Sequence, residues 1–368
     1  MTPYLLLTPG PLTTTDSVKA AMQHDYSTWD DDYNAITQRL RAGLLRLGQA
    51  GSDTYASILL QGSGTYAVEA TLQTAIPRTG ASVLVGVNGA YGRRISEMLD
   101  YLEIPHVVVS GDETAPLALA DLLAAAQAHP ELTHFAMIHC ETTTGVLNPI
   151  ETIVPAMHER GLITIVDAMS SFAGIPIATE MLGIDYLISS ANKCLQGVPG
   201  FGFVLAKRTT IAQTKGNARS LSLDLYEQLA CMEAFNGKWR FTSPTHVVLA
   251  AAQALDELIA EGGVAARYHR YRECQHLLAT GMQELGFDRI VAPADQSPII
   301  TSFAYPTPDF DFPAFYNALK ARGFVIYPGK VAALPSFRIG NIGDLNTTDI
   351  QALLAAIQVV QQTLTVSA

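Results

Sequence analysis

Between residues 55 and 206, short apolar runs alternate with amphipathic stretches of helical period. Ser57–Gln61, Ser82–Val87, His106–Val109, His134–His139, Leu162–Asp167, Asp185–Ser190 and Gly202–Ala206 read as buried strands, several of them rich in Val and Ile. Thr65–Ala75 and Leu119–Ala128 read as helices between them, and the second sets Leu119, Leu122, Leu123 and Ala126 on one face. Strands alternating with helices in this way predict an α/β domain, with a mostly parallel seven-stranded sheet between helices.

After Thr242 the texture changes. Pro244–Glu261 has a long helical pattern that stops at Gly262-Gly263, and a second helix is expected from Val264 to about Leu285. A strand (Ile299–Phe303), a helix (Phe312–Arg322), two short strands (Phe324–Tyr327 and Ser336–Ile339) and a closing helix from Thr347 follow. These elements predict a smaller α+β C-terminal domain. The expected division is a large domain over 15–255 and a small one over 256–368, to which the N-terminal segment 1–14 belongs. Asp30-Asp31-Asp32 reads as the first turn of a helix, because consecutive carboxylates converge poorly on one ion.

Charge narrows the function. The 368 residues carry 23 basic and 34 acidic side chains, a net charge of −11, which excludes a general binder of nucleic acid or anionic membrane. One local basic pocket for a small anion remains possible. Cys140, Cys194, Cys231 and Cys274 are far apart with no C-x-x-C pair, so neither a disulfide framework nor a zinc ribbon is expected. The nine histidines show no metal-binding spacing, and no metal is expected. The first residues, Met1 to Pro11, lack the basic flank of a signal peptide, and no apolar run reaches the roughly 18 residues of a membrane span. A cytoplasmic enzyme is the expectation.

Candidate chemistry lies at strand ends, where open parallel sheets gather ligands. Gly62-Ser63-Gly64-Thr65 follows a strand and opens a helix, so its backbone N–H groups can cup a phosphate, although a tight turn needing glycine has the same appearance. The segment also fits G-x-G-x-x-A of dinucleotide-binding oxidoreductases. That reading needs an acid at the end of the next strand, which here runs Val87-Asn88-Gly89, with Glu97 the first carboxylate beyond. Asp167 ends the run Leu162–Asp167, as either a helix cap or a functional acid. Lys193 follows the strand Asp185–Ser190, where a desolvated ammonium has a lowered pKa suited to a Schiff-base lysine. Ser190-Ala-Asn-Lys193 fits S-x-x-K of serine acylases, whose companion motifs are absent. An acid for a pyridine nitrogen, a lysine for an aldehyde and a phosphate cup are the three anchors of pyridoxal 5′-phosphate.

Six motifs in order resemble the small fold-type-I aminotransferases of the alanine–glyoxylate and serine–pyruvate group. They are Thr8-Pro-Gly-Pro-Leu12, Gln61-Gly-Ser-Gly-Thr-Tyr66, Glu141-Thr-Thr-Thr-Gly-Val146, Val166-Asp-Ala-Met-Ser-Ser171, Ser190-Ala-Asn-Lys193 and Phe337-Arg-Ile-Gly340. Tyr26–Tyr33, Asn88-Gly-Ala-Tyr-Gly92 and Cys140–Gly145 are most similar to the branch that moves the amino group of 2-aminoethylphosphonate to pyruvate. Alanine–glyoxylate or serine–pyruvate exchange is the alternative within the group. A lyase or desulfurase on the same scaffold would commonly want a cysteine in a mobile loop.

The resemblance implies roles. Lys193 would hold the cofactor and shuttle the substrate proton, and Asp167 would keep the pyridine nitrogen protonated. Ser63, Gly64 and Thr65 would cup the phosphate, and Tyr91 would stack on the ring where relatives carry Trp. Thr142 would lie near the phenolic oxygen, and Asn192 stands where relatives often have Gln. Thr242 would reach the phosphate of a partner subunit in a homodimer, and Arg338 would bind the substrate anion, unless it only bridges the two domains.

Overall fold

The computed structural model describes residues 4–329, 331 and 334–366. The chain opens with strand β1 (Leu5–Leu6) and helices α1 (Asp16–Ala21) and α2 (Asp31–Leu47), the latter starting inside the Asp30–Asp32 cluster. There follow β2 (Tyr55–Gln61), α3 (Gly64–Ala75), β3 (Val83–Val87), α4 (Ala90–Tyr101), β4 (His106–Ser110), α5 (Leu119–Ala128) and β5 (His134–Ile138). A small hairpin, β6 (Cys140–Glu141) and β7 (Val146–Leu147), interrupts the alternation before α6 (Ile150–His158), β8 (Ile163–Asp167), β9 (Tyr186–Ser190) and β10 (Phe201–Lys207). The hydrophobic pattern gave no sign of that hairpin, whose strands are two residues each.

β2, β10, β9, β8, β5, β3 and β4 lie side by side in that order in one seven-stranded sheet. β10 runs antiparallel to both its neighbours, and the remaining pairs are parallel. The C-terminal ends of β2, β3, β5, β8 and β9 therefore share one edge with the start of β10, where Phe201 faces Gln61. Both faces of the sheet are buried except along the edge strand β4, where Val108 and Ser110 are exposed, which is why most of its strands read as continuous apolar runs. Leu59, Leu84, Phe135 and Leu187 point to one core with Leu40 and Leu44 of α2. Ile58, Val85, Ala136 and Ile188 point to the other, with Val68 and Leu72 of α3 and Ile95 and Leu99 of α4. Each fully buried Leu, Ile, Val or Phe contributes about 1.5–3 kcal/mol.

The chain continues through α7 (Arg208–Ile211), α8 (Leu225–Ala234), α9 (Thr245–Glu261) and α10 (Gly263–Glu284). α9 runs unbroken through residue 255, so the division expected at 255/256 falls inside a helix; the chain first breaks at Gly262, whose φ of +110° suits glycine. Beyond it lie β11 (Ile300–Ala304), α11 (Phe312–Ala321), β12 (Phe324–Val325), β13 (Tyr327–Pro328), β14 (Ser336–Gly340) and α12 (Thr347–Val366). The expected single strand Phe324–Tyr327 is thus two. β12 pairs with β1 and β13 with β14, while Ile326 between them turns fully into the core. An antiparallel sheet β11–β14–β13 closes over a core that includes Phe287, Phe303, Phe315 and Phe337. Among the described residues no helix is long and apolar enough to cross a membrane.

Candidate active site

A cavity of about 240 Å³ opens at the shared edge of the large sheet. Ser63, Gly64 and Thr65 line it from the start of α3, Tyr91 from α4, and Thr142 from the hairpin. Asp167 lines it from the end of β8, and Asn192 and Lys193 follow β9. Eight of the ten residues expected from the sequence are brought together this way. Thr242 and Arg338 are not on the cavity wall. Thr242 is exposed, while its neighbour Ser243 is buried against the Tyr33 hydroxyl at 2.6 Å.

Helix α3 carries no side-chain cap, although Ser63 stands at the capping position. Its first N–H groups and the positive end of its dipole are thus available to an anion. Gly62 adopts φ +124° to make the turn. At Gly64 a Cβ would lie 2.3 Å from Met169 Sδ, so a larger residue would have to displace that side chain. The neighbouring helix α4 is occupied: Glu141 Oε2 accepts from the N–H groups of Tyr91 (3.1 Å) and Gly92 (3.3 Å).

Asp167 is buried, and its Oδ1 accepts from the Met169 N–H at 2.8 Å. Desolvation pushes its carboxyl up to about 7 against that hydrogen bond, the Glu141 charge adds to the rise, and Lys193 and Arg94 oppose it. Lys193 Nζ donates to the Pro9 carbonyl at 2.7 Å. Burial holds its ammonium below the usual lysine range, despite the charges of Cys194 and Asp167.

Arg338 is fully buried on β14. Its Nη1 donates to the Thr142 carbonyl at 2.7 Å and its Nε to the Pro328 carbonyl at 2.9 Å. Its Nη2 is buried without a hydrogen-bond partner among the described residues. The arginine therefore ties the small sheet to the β6–β7 hairpin, with one guanidinium nitrogen left over.

Two contributors escaped the sequence reading. Arg94 lines the cavity one helical turn after Tyr91, its guanidinium 4.9 Å from the centre of the Tyr91 ring; the i, i+3 spacing from Tyr91 was the available signal. Pro9 and Gly10, in the Thr8–Leu12 motif, lie against Lys193, a contact across 184 residues that no local pattern announces. Among the described residues no three His, Cys, Asp or Glu groups are placed to hold a metal ion.

These residues fit pyridoxal phosphate. A buried acid with a raised pKa awaits a cationic partner such as a pyridinium, a lysine with a lowered pKa is a ready amine, and an uncapped helix start suits a phosphate.

Such a sheet edge suits a class of α/β enzyme that works through an aldehyde cofactor. The chain belongs to the aminotransferase class-V family, whose model matches residues 19–355. It is 59% identical over 360 residues to 2-aminoethylphosphonate–pyruvate transaminase of Lactiplantibacillus plantarum, covering 98% of each chain. It is 52% identical over 362 residues to the transaminase of the same name from Phocaeicola vulgatus, covering 98% of this chain and 99% of that one. Alanine–glyoxylate aminotransferase from Nostoc sp. shares the fold at a TM-score of 0.88 and 24% identity, over 98% of this chain and 96% of the other. Ureidoglycine–glyoxylate aminotransferase from Bacillus subtilis does so at 0.89 and 21%, over 99% and 94%.

Proposed function

We propose that this chain is a pyridoxal-phosphate aminotransferase that passes the amino group of 2-aminoethylphosphonate to pyruvate, releasing phosphonoacetaldehyde and L-alanine. The observation that carries the chemistry is the convergence of Lys193 and Asp167 in one cavity below an uncapped helix start. The substrate pair rests on the names of relatives 52–59% identical over nearly the whole chain.

When bound, pyridoxal phosphate supplies an aldehyde for the amino group and a ring that draws off the electrons of the broken C–H bond. The chain's own residues do the rest. Lys193, its amine favoured by desolvation, would take the proton from the substrate carbon and deliver it to the cofactor carbon that bore the aldehyde. Asp167 holds the proton on the ring nitrogen, since a cationic partner restores its charge. Ser63, Gly64 and Thr65 hold the phosphate, and Tyr91 covers a ring face. Thr142 would stand near the phenolic oxygen, and Asn192 would line the cofactor cavity beside Lys193. Arg338 offers its spare Nη2 to the phosphonate of the donor and the carboxylate of pyruvate in turn.

The working form is a cytoplasmic homodimer. Ser63, Thr65 and Thr242 are all exposed in the single chain, and the exposed rings of Tyr66 and Phe241 adjoin Thr65 and Thr242. A partner's Thr242 position would complete the cup. The unit spanning 15–255 binds the cofactor, and 256–368 with 1–14 supplies the substrate side. A desulfurase is disfavoured by the thiols. Burial pushes Cys140 up to about 11 and Cys194 up to about 12, Cys274 is also raised by burial, and Cys231 sits on helix α8.

The test is a panel of amine donors offered with pyruvate to the pyridoxal-phosphate-loaded protein, scored by alanine formed. 2-Aminoethylphosphonate should be the best donor. Ordinary L-amino acids outrunning it would overturn the substrate assignment.

A further inference from the structure

Two motifs far apart in sequence, Asn88–Gly92 and Cys140–Gly145, are joined by one buried side chain. Glu141 is fully buried yet does not line the cavity. Its Oε2 accepts from the N–H groups of Tyr91 and Gly92, in the first turn of α4. Its Oε1 accepts from the Thr143 N–H at 3.2 Å and the Thr143 hydroxyl at 2.6 Å. No Lys, Arg or His pairs with it among the described residues; burial raises its carboxyl above the usual glutamate range, and the donors of Thr143, Gly92 and Tyr91 oppose that rise.

Gly89 makes room for this arrangement. A Cβ there would stand 2.3 Å from Glu141 Cγ, 2.4 Å from Cδ and 2.7 Å from the Thr143 hydroxyl. With φ at 174°, the Gly89 backbone is extended and open to any residue, so space alone demands glycine. On the other side of Glu141, the Thr142 carbonyl receives Arg338 Nη1.

We propose that Glu141 is the positioning residue of the site, a clamp that fixes Tyr91 and Thr142 relative to each other and, through the Thr142 carbonyl, seats Arg338. It touches neither cofactor nor substrate; it sets the spacing of the side chains that do. A carboxylate is required because all four partners are donors, and a carboxamide presents a donor of its own to one pair. The proposal rests on reading the cavity as a pyridoxal-phosphate site.

The test compares wild type with Glu141→Gln, Gly89→Ala, Thr143→Val and Thr143→Ser. Pyridoxal phosphate is titrated into each, its dissociation constant and visible circular dichroism are recorded, and kcat and KM are separated for both substrates. Glu141→Gln and Gly89→Ala should weaken cofactor binding on the order of 10-fold. Each should also change the circular dichroism per bound cofactor and raise substrate KM, with far-ultraviolet circular dichroism unchanged. Thr143→Val should move the same way by less, and Thr143→Ser should restore wild-type values. If Glu141→Gln fails to fold, the two Thr143 variants carry the comparison. Wild-type cofactor affinity and circular dichroism in all variants, with only Tm lowered, would reduce Glu141 to a packing role and overturn the proposal. A wild-type protein that bound no pyridoxal phosphate would overturn the reading of the site, and the clamp with it.

Discussion

Lys193 donates through Nζ to the carbonyl of Pro9 at 2.7 Å, across 184 residues of chain. Gly10 lies directly against it: a Cβ on Gly10 would meet Nζ and Cδ of Lys193, each at 2.8 Å. The N-terminal segment, held by β1 pairing with β12, is thus a wall against the lysine, although neither Pro9 nor Gly10 lines the cavity.

Gly10→Ala tests that wall. The substitution places a methyl against the lysine and strains a backbone at φ +116°. Reductive trapping of pyridoxal phosphate by borohydride should slow on the order of 10-fold, the loss expected when a reacting group is displaced. Trapping at the wild-type rate would show that Lys193 reaches the cofactor without this clearance.

Lys193→Ala should abolish turnover while the protein still folds and binds pyridoxal phosphate non-covalently. Borohydride should fix the cofactor to wild type and leave the variant unlabelled. Mass spectrometry of the digest reads the site, and label on another lysine would sink the assignment.

Asp167→Asn should lose most activity, because the amide cannot hold a pyridinium charge. It also makes a stability prediction for the cofactor-free protein. The folded state holds the Asp167 proton up to about 7, whereas the unfolded chain releases it near 3.8. Between those values the unfolded state binds fewer protons, so this group's contribution to stability falls as pH rises. The cofactor-free variant should match wild type near pH 4 and exceed it above pH 7, by up to about 4 kcal/mol at 1.36 kcal/mol per pKa unit. Denaturant unfolding at several pH values measures the gap, and a constant gap would mean the carboxyl ionises normally.

Arg338→Lys keeps the charge but cannot serve Thr142, Pro328 and a substrate anion together. Both half-reactions should lose on the order of 10- to 100-fold in kcat/KM, the equivalent of about 1.5–3 kcal/mol. Cofactor binding should persist. Loss of pyruvate turnover with phosphonate turnover intact would show that the two anions do not share the site.

The alternation of apolar runs determined the α/β class and the seven strands of the main sheet; a strand buried on both faces must be apolar throughout, and the half-exposed edge strand β4 still carries a Val run. Asp167 and Lys193 were legible for a related reason: a charged residue directly after such a run is costly to bury and stands out against it. The start of α3 was legible through its glycines. What sequence alone left open was decided by long-range closure. That β10 enters antiparallel, that Pro9 covers Lys193, that Ile326 splits one strand into two, and that Glu141 joins α4 to the hairpin are all contacts between segments remote along the chain. Local periodicity reports which face of an element is buried but carries nothing about what it is buried against. Glu141 looked like an ordinary polar residue in a threonine-rich turn, and only the packed structure supplies the four donors that make a buried carboxylate affordable there.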